Sequence, residues 1–129
     1  MRTTVAAVVA AAVLAVAGSA SAAEVGANDD TGKWAADAGT LFFAQMAGLK
    51  LKQSVMTIRW IPSEPLVIQG GDALDRAIPE AERAGVRVVL AVYPYPPREL
   101  EGGLARPAGF AAWLTAVAER YPTVKQYVV

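Results

Sequence analysis

Apolar positions recur along this chain in two rhythms. Lys33 to Gly48 sets Trp34, Ala38, Leu41, Phe42, Gln45 and Met46 on one stripe at three- and four-residue spacing. That spacing predicts a helix with Gly48 as its stop. A second helix opens at Asp72, carries Ala73, Leu74, Ala77, Ile78 and Ala81 on one face, and ends at Gly85. Pro79 inside it calls for a kink or a reset start. A third opens on Arg106-Pro107, where proline suits the first turn, and turns Phe110, Trp113, Leu114, Val117, Ala118 and Tyr121 inward.

Between these stretches the helical period is lost. Glu24 to Ala27 reads as a short strand leading into Asn28-Asp29-Asp30. Ser54 to Ile61 is rich in β-branched and aromatic residues and is ended by Pro62. Val86 to Val92 is almost continuously apolar, as a strand buried on both faces should be. Val124 to Val129 reads as a fourth strand, and Tyr127-Val128-Val129 is too apolar for an exposed edge. Strands beginning near residues 54, 86 and 124, with one helix in each gap, have the rhythm of parallel βαβ units with right-handed crossovers.

Two α/β architectures fit four strands and three helices: a doubly wound open sheet, or part of a (β/α)8 barrel. A nucleotide-binding sheet wants a glycine-rich turn after its first strand, whereas VGANDD offers one glycine and places acids where phosphate would sit. A complete barrel takes about 250 residues. The pattern therefore predicts roughly the first half of a (β/α)8 TIM barrel, occupying residues 23–129 and cut after the fourth strand.

The remainder of the chain has another character. Arg2 precedes an apolar run from Val5 to Ala17, and Ala20-Ser21-Ala22 supplies a small-x-small cleavage site, so residues 1–22 read as a signal peptide removed near Ala22 or Ala23. A membrane anchor is the competing reading, but the run falls short of about 20 residues and no basic cluster follows it. The expected destination is secreted or extracytoplasmic, with no membrane attachment after cleavage. Only Arg2 of the 12 basic residues lies in that leader and none of the 12 acidic ones, which leaves 11 against 12 and a net charge of about −1. No basic stripe exists, so nucleic acid is a poor partner. The chain has no His and no Cys, which excludes a zinc site or a Ser-His or Cys-His nucleophile within it. No metal or cofactor is expected.

In parallel α/β folds, ligands meet the C-terminal ends of the strands. Those ends carry Asn28-Asp29-Asp30, Arg59-Trp60 and Tyr93-Pro94-Tyr95, while the opposite ends carry plain turn chemistry. An acid, an amide, a guanidinium and aromatic faces suit a carbohydrate, whose hydroxyls want polar partners and whose C–H faces stack on rings. Each residue also has a plainer role. Asn28 and Asp29 can cap the first helix. Trp60 can be core. Tyr93 and Tyr95 can stiffen the loop YPYPP, and Glu64 falls on a solvated loop. Arg59 lies in or just past a strand of an otherwise buried sheet, where a guanidinium calls for a carboxylate partner.

The stretches VGANDD, VMTIRWIPSEP, ALDRAIPEAERAGVRVVLAVYP and FAAWLTAVAERYPTVKQYVV resemble the first half of the secreted clan A glycoside hydrolases, (β/α)8 barrels of the cellulase and β-xylosidase type. The resemblance covers residues 24 to 129. Its most telling pieces are Arg59 and the phrase AERAGVRVVLAVYP. It implies a retaining O-glycosyl hydrolase acting on polysaccharide or oligosaccharide. The family's Asn-Glu-Pro motif, whose Glu is the acid/base, follows strand four and is expected just after Val129; the nucleophile Glu belongs to strand seven. Neither catalytic Glu lies in this chain, so a fragment of this length is expected to be inactive. The resemblance makes Arg59 the arginine that orients the nucleophile, Tyr93 a subsite residue where the family has His or an aromatic, Asn28 and Asp29 rim contacts to sugar, and Trp60 and Tyr95 stacking platforms. The alternatives are a complete small exported α/β domain that binds sugar, and an interaction module that self-associates through open strand edges.

Overall fold

The computed structural model describes residues 24–129, so the leader reading lies outside the described residues. The fold is α/β with one parallel four-stranded sheet. In chain order the elements are β1 (Gly26–Asn28), α1 (Thr31–Trp34), α2 (Thr40–Gly48), β2 (Gln53–Trp60), α3 (Gly71–Arg83), β3 (Arg87–Pro94), α4 (Pro97–Glu101), α5 (Pro107–Arg120) and β4 (Gln126–Val128). The strands lie in the order β1-β2-β3-β4, every pair parallel. A doubly wound sheet reverses its strand order at a switch point and carries helices on both faces. This sheet does neither.

Alternation along the strands sorts their side chains. Met56, Ile58 and Trp60 of β2 and Val88, Leu90 and Val92 of β3 form one buried cluster with Phe43 and Met46 of α2, Leu74, Ala77, Ile78 and Ala81 of α3, and Trp113 and Val117 of α5. Leu100 of α4 packs against the same cluster. The second face carries Val55, Thr57 and Arg59, paired in register with Val89, Ala91 and Tyr93. Val89 and Ala91 are buried yet lie outside the helix-side cluster. Arg120 braces α5 on α3: its Nε and Nη2 donate to Asp75 at 3.0 and 2.5 Å. The Tyr121 hydroxyl donates to the Gly71 carbonyl at 3.0 Å.

The sequence pattern misjudged the region before β2. One helix was expected from Lys33 to Gly48; the chain instead breaks at Ala35 and restarts at Thr40. The break is written in Asp37-Ala38-Gly39-Thr40. The Asp37 carboxylate accepts from the amides of Gly39 and Leu41, both at 3.0 Å, and caps α2, while Ala38 and Gly39 take positive φ (59° and 84°). The buried stripe rotates in consequence: Phe43 and Met46 are buried, and Trp34 and Leu41 face solvent. The short helix α4 was also unforeseen, so five helices stand where three were expected. Pro79 is accommodated inside α3. The fourth strand shortens to three residues. No helix among the described residues is long and apolar enough to cross a membrane.

Candidate functional site

The C-terminal ends of β1, β2 and β3 converge on one rim, where a cleft of about 230 Å³ opens between Asp30, Lys33, Trp34, Thr57, Arg59, Gln69 and Tyr95. Its back wall comes from α1. After Asp29, whose amide donates to the Val55 carbonyl, the backbone leaves β2, and Asp30 turns its carboxylate onto Thr57, accepting from the Thr57 amide at 2.7 Å and from its hydroxyl. Lys33 donates to the Thr57 carbonyl at 2.5 Å and lies 3.2 Å from Asp30. Lys33 is 3% exposed. Burial pulls its ammonium below the usual lysine range; the Asp30 charge opposes this, and the nearby Arg59 adds to it.

The floor is the loop 61–70, which doubles back so that Gln69 bridges to Arg59. Three ties hold it. Ser63 donates from its amide and hydroxyl to the Glu99 carboxylate of α4, at 2.9 and 2.8 Å. The Trp113 indole of α5 donates to the Val67 carbonyl at 2.9 Å. Gln69 donates to Glu64 at 2.6 Å. On the far side the Tyr95 amide donates to the Trp60 carbonyl at 2.9 Å, which sets the Tyr95 ring beneath the Arg59 guanidinium, 5.1 Å from centroid to Cζ.

Arg59, Tyr93 and Tyr95 are therefore brought together, and a further hollow of about 350 Å³ lies among them and Thr57. The guanidinium is exposed rather than buried, and no carboxylate among the described residues lies within ion-pairing distance of it. The expectation of a carboxylate partner within the sheet is thus corrected: the ring of Tyr95 is its neighbour, and its polar end faces the cleft.

Other expected site residues stand elsewhere. Trp60 is 5% exposed on the helix side of the sheet, its ring against Phe110 at 5.0 Å. It is core and not a stacking surface, because an even-numbered position on β2 faces the helices. Asp29 accepts from the Thr31 amide at 2.7 Å, the plainer capping role, and hydrogen bonds from Thr31 hold its carboxyl below the usual range. Asn28, exposed at the end of β1, lines neither hollow. Lys33, Trp34, Thr57 and Gln69 were missed, and Asp30 was placed at the rim with Asn28 and Asp29 but not singled out as a site residue. A lysine following an acidic cluster past a strand end was the available signal for the Asp30–Lys33 pair. The others depend on the helix break and the loop path.

The rim offers cations, an amide, a carboxylate and aromatic faces, with Asp30 committed to Thr57 and Lys33. It can hold a polar ligand with apolar faces. Among the described residues no group of three or more Asp or Glu side chains is disposed to hold a metal ion. No family model, curated protein or solved structure matches the chain.

Proposed function

We propose that this rim is the sugar-holding part of a retaining glycoside hydrolase site of the clan A type, built on the first strands of a (β/α)8 barrel in an exported protein. The observation that carries the reading is the Arg59 guanidinium. It stands at the C-terminal end of the second of four sequential parallel strands, free of any carboxylate among the described residues and backed by Tyr95. A cation so placed suits a carboxylate that must stay ionised to attack a sugar, since opposite charge favours the ionised form. The helices packed on a single face of a sheet with sequential strand order support the barrel, and the aromatic and amide groups beside Arg59 support a carbohydrate substrate.

In this reading residues 24–129 supply orientation and binding: Arg59 holds the nucleophile, and Tyr93, Tyr95 and Gln69 border the sugar. The two carboxylates of retaining hydrolysis, about 5 Å apart, come from outside these residues. The chain as it stands is expected to leave aryl glycosides intact, and the coding sequence beyond the Val129 codon is expected to continue into Asn-Glu-Pro. Steady hydrolysis of an aryl β-glucoside or β-xyloside by purified residues 24–129 would overturn the assignment of both catalysts to other segments. Downstream sequence without the motif would remove the family reading.

A further inference from the structure

We propose that Trp34 is a stacking platform on which an oligosaccharide crosses from one groove of the rim to another. The proposal rests on the carbohydrate reading above and names a subsite within it. Of the chain's three tryptophans, Trp60 and Trp113 are 5% and 1% exposed, while Trp34 is 62% exposed. An indole left in water forgoes a large burial energy, so its position asks for a reason.

The surroundings of the ring are built to hold it there. The Lys33 ammonium lies 4.7 Å from the ring centroid, and that ammonium is fixed by the Thr57 carbonyl and Asp30. Against another part of the ring lies Gly70, with φ 74°, where an added Cβ would come within 3.1 Å of the indole. A glycine here lets the ring lie close to the loop, and the break at Ala35 turns Trp34 away from the core.

The ring consequently borders two hollows. One is the cleft of about 230 Å³ with Arg59 and Gln69; the other is a groove of about 540 Å³ with Asp72 and Arg76. A pyranose has a C–H face that packs on an aromatic ring and equatorial hydroxyls that need donors and acceptors at the rim of that ring. Gln69 and Arg59 on one side, and Asp72 and Arg76 on the other, supply them. The ligand is an oligosaccharide with sugar units in both hollows.

The test is titration of the chain with soluble cello-, xylo- and manno-oligosaccharides, followed by tryptophan emission and by iodide quenching. With Trp60 and Trp113 buried, the iodide-accessible emission comes from Trp34. Bound oligosaccharide is expected to shield that emission. Trp34→Ala should weaken binding about tenfold or more, and Trp34→Tyr should retain most of it. Both variants should melt close to the parent, because an exposed side chain contributes little to stability. Oligosaccharide binding with unchanged iodide quenching and unchanged affinity in both variants would overturn the role of Trp34 and leave the carbohydrate reading standing. An unmodified chain that binds none of these sugars would remove both. Shielding in the unmodified chain decides the matter even where the alanine variant does not fold.

Discussion

Lys33 decides more about the rim than any other single side chain. Its ammonium has three partners, Thr57 Oγ1 at 3.4 Å being the weakest, and it underlies the Trp34 ring. Lys33→Met keeps the aliphatic stem but strips the Thr57 carbonyl and the Asp30 carboxylate of their cationic partner. Charge-assisted hydrogen bonds of this kind are worth roughly 2–3 kcal/mol, so denaturant unfolding should register a loss of that order. Amide exchange at Thr57 should quicken in the same variant, since its N–H is held by the Asp30 carboxylate. A variant as stable as the parent would mean that solvent replaces the ammonium without cost. This pair was only half legible in the sequence. The acidic cluster after β1 was visible, but which acid would cap and which would turn inward depends on a backbone path that no local pattern encodes. Asp29 and Asp30 differ by one residue and part ways completely.

At the scale of elements, the helices opening near Asp72 and at Pro107 were read correctly, apart from Ala118, which is exposed, and the segment from Lys33 to Gly48 was not. The inner face foreseen for α3, from Ala73 to Ala81, is buried at every position. The rim was legible because Arg59, Tyr93 and Tyr95 end strands whose apolar runs fixed their extent. What escaped was the α1–α2 break, since the alanines on either side of Asp37 continue a helical pattern that only the capping geometry interrupts. Gly39 holds that corner. Its φ is 84°, and an added Cβ would come within 2.6 Å of the Gly32 carbonyl oxygen and 2.5 Å of the Phe43 ring. Backbone cannot yield there as a flexible side chain would. Gly39→Ala should therefore cost about 2 kcal/mol or more, combining a left-handed backbone with a contact against main chain. Thermal unfolding would check it, and a melting temperature equal to the parent's would show that the corner relaxes freely. The equivalent change at Gly85, also at positive φ but with open space around it, should cost less.

For the whole molecule the titrating groups set the limits of stability. Asp37 and Asp75 are held below the usual carboxylate range, the first by amides of Leu41 and Gly39, the second by Arg120. A depressed carboxyl contributes stability above its unfolded pKa, near 3.9, and loses it as pH falls through the folded value. Tyr121 and Tyr127 are pushed up by burial. A raised tyrosine contributes stability below its unfolded pKa, near 10, and loses it as pH climbs beyond that point. Lys33 acts in the reverse sense, since its lowered value makes folding gain as pH rises toward the unfolded lysine value near 10.4. Above about pH 10 the two tyrosines oppose the one lysine, and the melting temperature should fall. Tyr121→Phe should flatten that fall while lowering stability at neutral pH by about 1 kcal/mol for the lost hydrogen bond to Gly71. An alkaline limb of unchanged slope in the variant would place its origin elsewhere.

The brevity of β1 has a consequence for how such a rim can diversify. Beyond Asp29, whose amide still donates to the Val55 carbonyl, the lane beside β2 is without main chain until Gln69 bridges to Arg59. Its hydrogen-bonding duty at Thr57 passes to the tips of Asp30 and Lys33, and the vacated lane is the room that the cleft occupies. A recess bounded by a strand can change shape only by moving the sheet. This one is walled by side chains over a loop floor, so its depth and charge can be altered one substitution at a time while the ladder beneath stays intact.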